Sequence, residues 1–311
     1  YALLAAPLLK SLPEGATITE SEAVARRFEM RMGKEAGVAT VTSWIGTGVP
    51  RFYLPLDQIF QNSNVSQFIV LPKDLAARDA LRVKLPVLLA TEFPEVRGRS
   101  KVLPNGPPVP YAVMFRVVGT DVAGVRAWTE RAKAIVQANP NMRGVNDNWN
   151  ERVKTLRLAV DQDKARALGV TSQNIAVAAR TVLSGSTVGQ YREGDKLIDI
   201  VLRQPAEERN AITDLSTAYL PTASGRAIPL SQIASFEFAW EPGVIWREGR
   251  KFAATVQGDV VEGVQGPTVT FQIWPELQKL KAKMPPDYDI QIAGAVARRI
   301  VRAASLVDGE D

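Results

Sequence analysis

The chain has no cysteine and no histidine among its 311 residues. The first absence removes disulfides, thiolate nucleophiles and thiolate metal sites. Together the two remove Ser-His-Asp and Cys-His triads and the usual zinc ligand sets. Methionine is scarce as well. Of Met30, Met32, Met114, Met142 and Met284, only the first two are close in sequence, on different sides of one helix, so no thioether cluster for a soft cation such as Cu(I) is evident. No long hydrophobic run occurs. The longest, Ala2 to Leu9, is interrupted by Pro7 and falls far short of the roughly 20 residues a membrane span requires, and no signal-peptide pattern is visible. Nor does one sign of charge dominate: 38 Lys and Arg are scattered among 33 Asp and Glu, giving +5 overall. Without a basic stripe interleaved with stacking aromatics, that excess reads as solvated surface and argues against nucleic acid.

What is present is a globular composition, 46% hydrophobic and 23% charged, on a length sufficient for two or three domains. Thr19 with Glu22 forms a capping-box pattern opening a helix to Gly33, with Val24, Ala25, Phe28 and Met32 on one face. Val38 to Ile45 and Val65 to Leu71 read as strands separated by a long loop. Helical spacing over Lys73 to Ala90 contains Pro86, where a kink or break is expected. After the proline-rich connector Asn105 to Pro110, Tyr111, Val113, Phe115 and Val117 alternate as a strand. Asp121 caps a helix bearing Val125, Trp128, Ala132, Ile135 and Val136, and Gly144 to Trp149 returns as a strand. A second β-α-β unit lies about a hundred residues later, with Pro267 in the first turn of its helix and Tyr288 to Ile292 as its last strand. Two such halves around a long insertion predict an α+β fold with a ferredoxin-like sandwich interrupted by another subdomain.

Within the insertion, Arg152 to Gly185 encodes a strand with Leu156, Leu158 and Val160 on one face. Asp161 is placed as an N-cap, Gly169 as a helix stop, and Thr171 or Ser172 as the cap of a second helix with Ile175, Ala178, Ala179, Val182 and Leu183 along its stripe. Asp161 and Asp163 have the beginning of a calcium loop's spacing, but glycine at the sixth position and Glu at the twelfth are lacking. Gly258 to Gly266 is glycine-rich without the Gly-Lys-Ser/Thr ending of a phosphate loop. No cofactor is expected.

The motifs VDQDKARALGVT, VLSG, VGQY and SGRAIPLSQIA, with LPEGATITESEA and IGTGVPRF before them and YDIQIAG after, occur in that order over nearly the whole chain. The set resembles the second large periplasmic loop of resistance-nodulation-division (RND) efflux transporters, in the drug-exporting, acriflavine-resistance-type branch. The resemblance implies a first porter subdomain over 1–106, a second porter subdomain split between 107–150 and 244–294, an inserted docking subdomain over 151–243 and a tail over 295–311. It also implies a periplasmic loop of a bacterial inner-membrane protein, a proton-driven antiporter that is a homotrimer at full length. The loop would be threaded outward by flanking membrane helices and would do no enzyme chemistry by itself. Partners implied are hydrophobic or amphiphilic small molecules, a membrane-fusion adaptor and an outer-membrane channel.

Apolar recognition needs aromatic and aliphatic side chains around a cleft. By order along the chain, the resemblance places Trp44, Phe52, Phe68, Val113, Phe115 and Val117 at substrate-binding positions, and Ser43, Gly46, Gly48 and Pro50 in a gating loop. Phe68, Val113, Phe115 and Val117 serve equally well as core residues of strands, whereas Trp44 and Phe52 sit beside a loop, where a large aromatic is rarely needed for packing. Ala223, Ser224, Gly225 and Arg226 lie between two apolar runs as a hairpin turn, and the resemblance makes this the docking hairpin. Gln190 to Lys196, with Glu193-Gly194, is a second candidate contact edge. The alternatives are a heavy-metal-exporting branch of the same family and a self-standing periplasmic binding or scaffold module.

Overall fold

Caps and alternating side chains build the first element set. Strand β1 (Ala6–Ser11), helix α1 (Ile18–Gly33), strands β2 (Val38–Ile45) and β3 (Val65–Pro72), helix α2 (Leu75–Glu92) and strand β4 (Arg97–Arg99) follow one another. The strands form one antiparallel sheet in the order β2-β3-β1-β4. Phe28 and Met32 from α1, Phe68 and Val70 from β3 and Leu81, Leu85, Leu88 and Leu89 from α2 form the core between sheet and helices. Phe28 meets Phe68 edge-on at 4.8 Å and Phe93 at 5.7 Å. This computed structural model describes residues 6–52, 56, 58–101, 109–203, 205, 219–222 and 225–298.

Two expectations change here, and one strand appears that was not expected. The N-cap of α1 is Thr17, reciprocally bonded to Glu20: of the two overlapping T-x-x-E registers in the sequence, the earlier one forms the capping box. Helix α2 runs unbroken through Pro86: the proline occupies an exposed position while Leu81, Leu85, Leu88 and Leu89 anchor the helix on both sides of it. Strand β1, drawn from an apolar run with no polar alternation to mark it, is an inner strand between β3 and β4.

The second element set repeats the plan. Strand β5 (Val113–Gly119), helix α3 (Val122–Gln137) and strand β6 (Met142–Asp147) are followed, beyond an insertion, by β13 (Arg247–Glu248), β14 (Lys251–Val260), helix α6 (Gly266–Lys281) and β15 (Asp289–Ile292). Strand β14 pairs with both β6 and β5, and β5 with β15, all antiparallel. The sheet order β6-β14-β5-β15 therefore matches β2-β3-β1-β4 position for position. Asp121 caps α3 by accepting from the Gly124 amide. Val113, Phe115, Val117, Val125, Trp149, Val256, Val269, Ile273 and Leu277 are among the residues filling the core, and Phe115 stacks on Trp274 at 6.2 Å. Both sandwiches belong to one compact unit, residues 1–153 with 241–311.

Residues 154–240 form a separate unit. Strand β7 (Arg152–Val160) pairs with β12 (Ala234–Pro242), and helices α4 (Gln162–Ala167) and α5 (Ser172–Leu183) pack through Ala165, Val170, Ile175 and Val182 against Leu220, Leu230 and Ile233. Asp161 and Thr171 are the caps, and Gly169 takes φ 66°. Strands β8 (Ser186–Glu193) and β9 (Lys196–Leu202) form a ribbon turning at Gly194, with Val188, Tyr191, Leu197, Ile198, Ile200 and Val201 all exposed. Strands β10 (Tyr219–Pro221) and β11 (Ala227–Pro229) form the short hairpin read from sequence; Gly225 takes φ 77° and its amide donates to Thr222. Ala223 and Ser224 lie outside the described residues.

One ion-pair cluster links α1 to α2. Glu35 accepts from Lys84 at 2.6 Å and from Arg31 at 3.0 Å, and these hydrogen bonds hold its carboxyl below the ordinary carboxylate range. A depressed folded-state pKa contributes stability above the unfolded value of about 4.3 and loses it as pH falls through the lower folded value. Thermal melts from pH 6 downward should therefore show Tm dropping below about pH 4. Glu35→Gln should lose about 1 kcal/mol at neutral pH and flatten part of that acid decline.

Candidate functional site

Strand pleating sorts the sequence-predicted residues. Ser43 lies opposite Phe68, and Trp44 opposite Gln67. Side chains of directly paired residues share a face and successive ones alternate, so Phe68 points to the helices and Trp44 to the helix-free face. The fold does not bring these two aromatics together. Phe68 has 0% exposure, as do Val113, Phe115 and Val117 on the helix-facing side of β5. These four are packed in two different cores and line no cavity mouth. Trp44 is half-buried, and Phe52 is 54% exposed.

The described start of the loop after β2 is pinned. Gly46 takes φ 73° and donates to Val65 at 2.7 Å, and the Val49 amide donates to the buried Gln67 side chain at 2.7 Å. A Cβ on Gly48 would lie 2.9 Å from the Ile59 carbonyl oxygen, so glycine there permits a close backbone crossing. Ser43 donates to Glu29, and Pro50 is exposed. Residues 53–55 and 57 lie outside the described part.

A well-formed concavity lies elsewhere: a cleft of about 510 Å³ in the first unit. One wall is α2 and β4, with Leu81, Leu85, Pro86 and Ala90 beside Arg97 and Arg99; the other is Tyr111, Ala112, β6 and the end of β14. Gly98 faces α2, where a Cβ would come within 2.9 Å of Leu89. Its neighbours Arg97 and Arg99 therefore project from the opposite face. Arg99 grips Asp259 with two guanidinium nitrogens, one at 2.6 Å, and lies 3.8 Å over the Tyr111 ring. Arg82 pairs with Glu262, and Arg97 donates to Asn150 at 2.7 Å and to Glu151. These bonds join the two sandwiches along the cleft, and the aliphatic residues between them leave an apolar floor. Forked guanidinium–carboxylate contacts hold geometry better than ammonium contacts.

Sequence reasoning passed over this site. Its signal was the segment RGRSK, where Arg97, Arg99 and Lys101 stand at i, i+2 and i+4 of an extended stretch. Read as scattered surface charge, the run gave no hint of the cavity beside it. Among the described residues no group of three or more Asp or Glu side chains could hold a metal ion, and no helix is long and apolar enough to cross a membrane.

The sequence profile of the AcrB/AcrD/AcrF family matches residues 9–307. The cobalt-zinc-cadmium resistance protein CzcA of Cupriavidus metallidurans is 26% identical over 153 residues, 48% of this chain and 14% of that protein. The cation efflux system protein CusA of Escherichia coli K12 is 23% identical over 169 residues, 54% of this chain and 16% of the relative. The multidrug resistance protein MdtC of Yersinia pseudotuberculosis is 19% identical over 152 residues, 49% and 15%. The crystal structure of a heavy metal efflux pump has the same fold, with a TM-score of 0.75 at 18% identity, covering 97% of this chain and 32% of that one. The chain thus matches about one seventh of the length of these curated relatives.

Proposed function

This chain belongs to the AcrB/AcrD/AcrF family, and from that premise we propose that it is the periplasmic portion of a proton-driven RND efflux pump whose cargo passes through the cleft beside Arg99. Cargo here is an organic amphiphile. The observation that carries the reading is the cleft itself: an apolar floor of Leu81, Leu85, Pro86 and Val260 with arginines along its walls. Such a site holds a small molecule by burying its apolar part and orienting its polar part. Trp44 and Phe52, neither of which lines the cleft, each offer cargo a separate aromatic contact. The two matching sandwiches are the porter subdomains, and residues 154–240 the docking subdomain. Its β10–β11 hairpin and β8–β9 ribbon meet an adaptor or outer-membrane channel.

Export of metal cations is the second reading, favoured by the names of CzcA and CusA. The chain's own chemistry supports it less, since it has neither histidine nor cysteine and its cleft carboxylates Asp259 and Glu262 are engaged by arginines.

The test is to narrow the cleft. Ala90 lines it from an exposed position on α2, so Ala90→Trp adds bulk without disturbing the core. Cells whose pump carries Ala90→Trp at normal abundance should export a hydrophobic dye several-fold more slowly. Undiminished dye export would remove the cleft from the pathway, and resistance to cobalt or copper salts in place of dyes would favour the second reading.

A further inference from the structure

Arg97 lines both the cleft and a second depression of about 340 Å³ in the same unit. The charged lining of this depression is Glu14, Glu95 and Glu151 against Arg97 itself. Glu95 is held by Arg27 at 2.7 Å, and Glu151 by Arg97. Glu14 is left over. Half-buried, it accepts at 2.8 Å from the neutral Asn150 side chain and forms no ion pair with a Lys or Arg among the described residues. Asn64, just before β3, adds a need unrelated to charge. It is 3% exposed and lines the same depression. Its Nδ2 donates to the Leu12 carbonyl at 3.0 Å, and because a carbonyl only accepts, that bond fixes which way the carboxamide is turned. The Oδ1 is thereby left buried with no donor among the described residues. A buried acceptor without a donor is costly, and a ligand N–H relieves it. Leu12, Asn64 and Val96 also border a recess of about 10 Å³, room for one water at most, so a larger donor reaches the carboxamide from the depression. Leu12 is bonded to Asn64 through both its N–H and its carbonyl and stands two residues from Glu14, which brings the two acceptors to one place.

We infer that this depression binds a small primary ammonium ion, its N–H donors shared between the Glu14 carboxylate and Asn64 Oδ1 and its short alkyl chain laid against Pro13 and Pro94. Glu14 calls for positive charge and Asn64 for a hydrogen-bond donor. A primary ammonium carries both, whereas a quaternary ammonium has charge alone and an alcohol a donor alone. A divalent metal ion is served less well, because no three Asp or Glu side chains among the described residues are grouped to hold one. What passes through the cleft has no bearing on this site.

Amide chemical shifts of the nitrogen-15-labelled 311-residue chain, followed at constant ionic strength, test this with n-butylammonium, tetramethylammonium, n-butanol and calcium as probes. n-Butylammonium should shift the amides of Leu12, Glu14, Asn64 and Val96 saturably, with a Kd about fivefold or more below those of tetramethylammonium and butanol. Glu14→Gln keeps an acceptor for Asn150 and should raise that Kd about tenfold with the circular dichroism unchanged, while Glu14→Asp should retain most of the binding. Three results overturn the site: no saturable shift at these amides, equal Kd values for n-butylammonium and tetramethylammonium, or a Kd that Glu14→Gln leaves unmoved. Calcium binding more tightly than n-butylammonium at the same amides overturns the ligand class.

Discussion

Phe115→Ala is expected to lower unfolding free energy by about 3–5 kcal/mol, the usual cost of emptying a buried aromatic site. Phe115 has 0% exposure, pairs with Val256 and Ile292 across the sheet and stacks on Trp274 from α6. Phe68→Ala should cost a similar amount through the loss of its edge-on contact with Phe28. Denaturant titration reads the effect directly. A residue that serves mainly as a ligand contact would instead show near-wild-type stability with weakened dye binding. If both variants unfold at the wild-type midpoint, these phenylalanines do not carry the two cores.

The second large effect is expected at Asp147. Its carboxylate, with 3% of its side chain exposed, accepts from Arg126 at 3.0 Å, Lys133 at 3.1 Å and the Trp149 amide at 3.1 Å. Arg126 is itself only 12% exposed and also donates to the Asn150 carbonyl at 2.8 Å. Removing one member of a buried pair leaves the other charge desolvated without compensation, which costs about 3–5 kcal/mol. Asp147→Ala should therefore approach the cost of the core truncations without creating a large cavity. Trp149 donates its indole N–H to the Ala253 carbonyl at 2.9 Å and is fully buried, so its near-ultraviolet dichroism should report the loosening. The double variant Asp147→Ala/Arg126→Met should recover part of the loss. Failure to recover would assign the cost to Lys133 or to the Trp149 turn.

Most of the fold was legible where a periodic apolar pattern met a cap. Helix α3 after Asp121 and α5 after Thr171 both follow from side-chain spacing and short-range hydrogen bonds. Strand β4 was not legible, because Arg97-Gly98-Arg99 has no apolar residue and is strand only by pairing with β1, far away in sequence. Strand β1 was missed for a different reason: Ala6–Ser11 starts in an apolar run broken by Pro7 and shows no alternation to read. The candidate site failed on the same ground as β4. Arg99 and Asp259 are distant in sequence, and a pattern confined to one segment cannot show that a basic run and an apolar helix face are to share a cleft.

The split of the second sandwich has a further consequence. Val153 and Gly243 are neighbours in space: a Cβ on Gly243 would sit 3.5 Å from a Val153 methyl group. The backbone thus enters the insertion and comes back from it at nearly one point, and β6 and β14, on either side of the detour, are directly hydrogen-bonded. The inserted residues behave as a guest module in a host sheet. A linker of a few residues could bridge Val153 to Gly243 and turn the interrupted sandwich into a contiguous one with its register intact. The same junction could accept an unrelated module whose ends lie as close together.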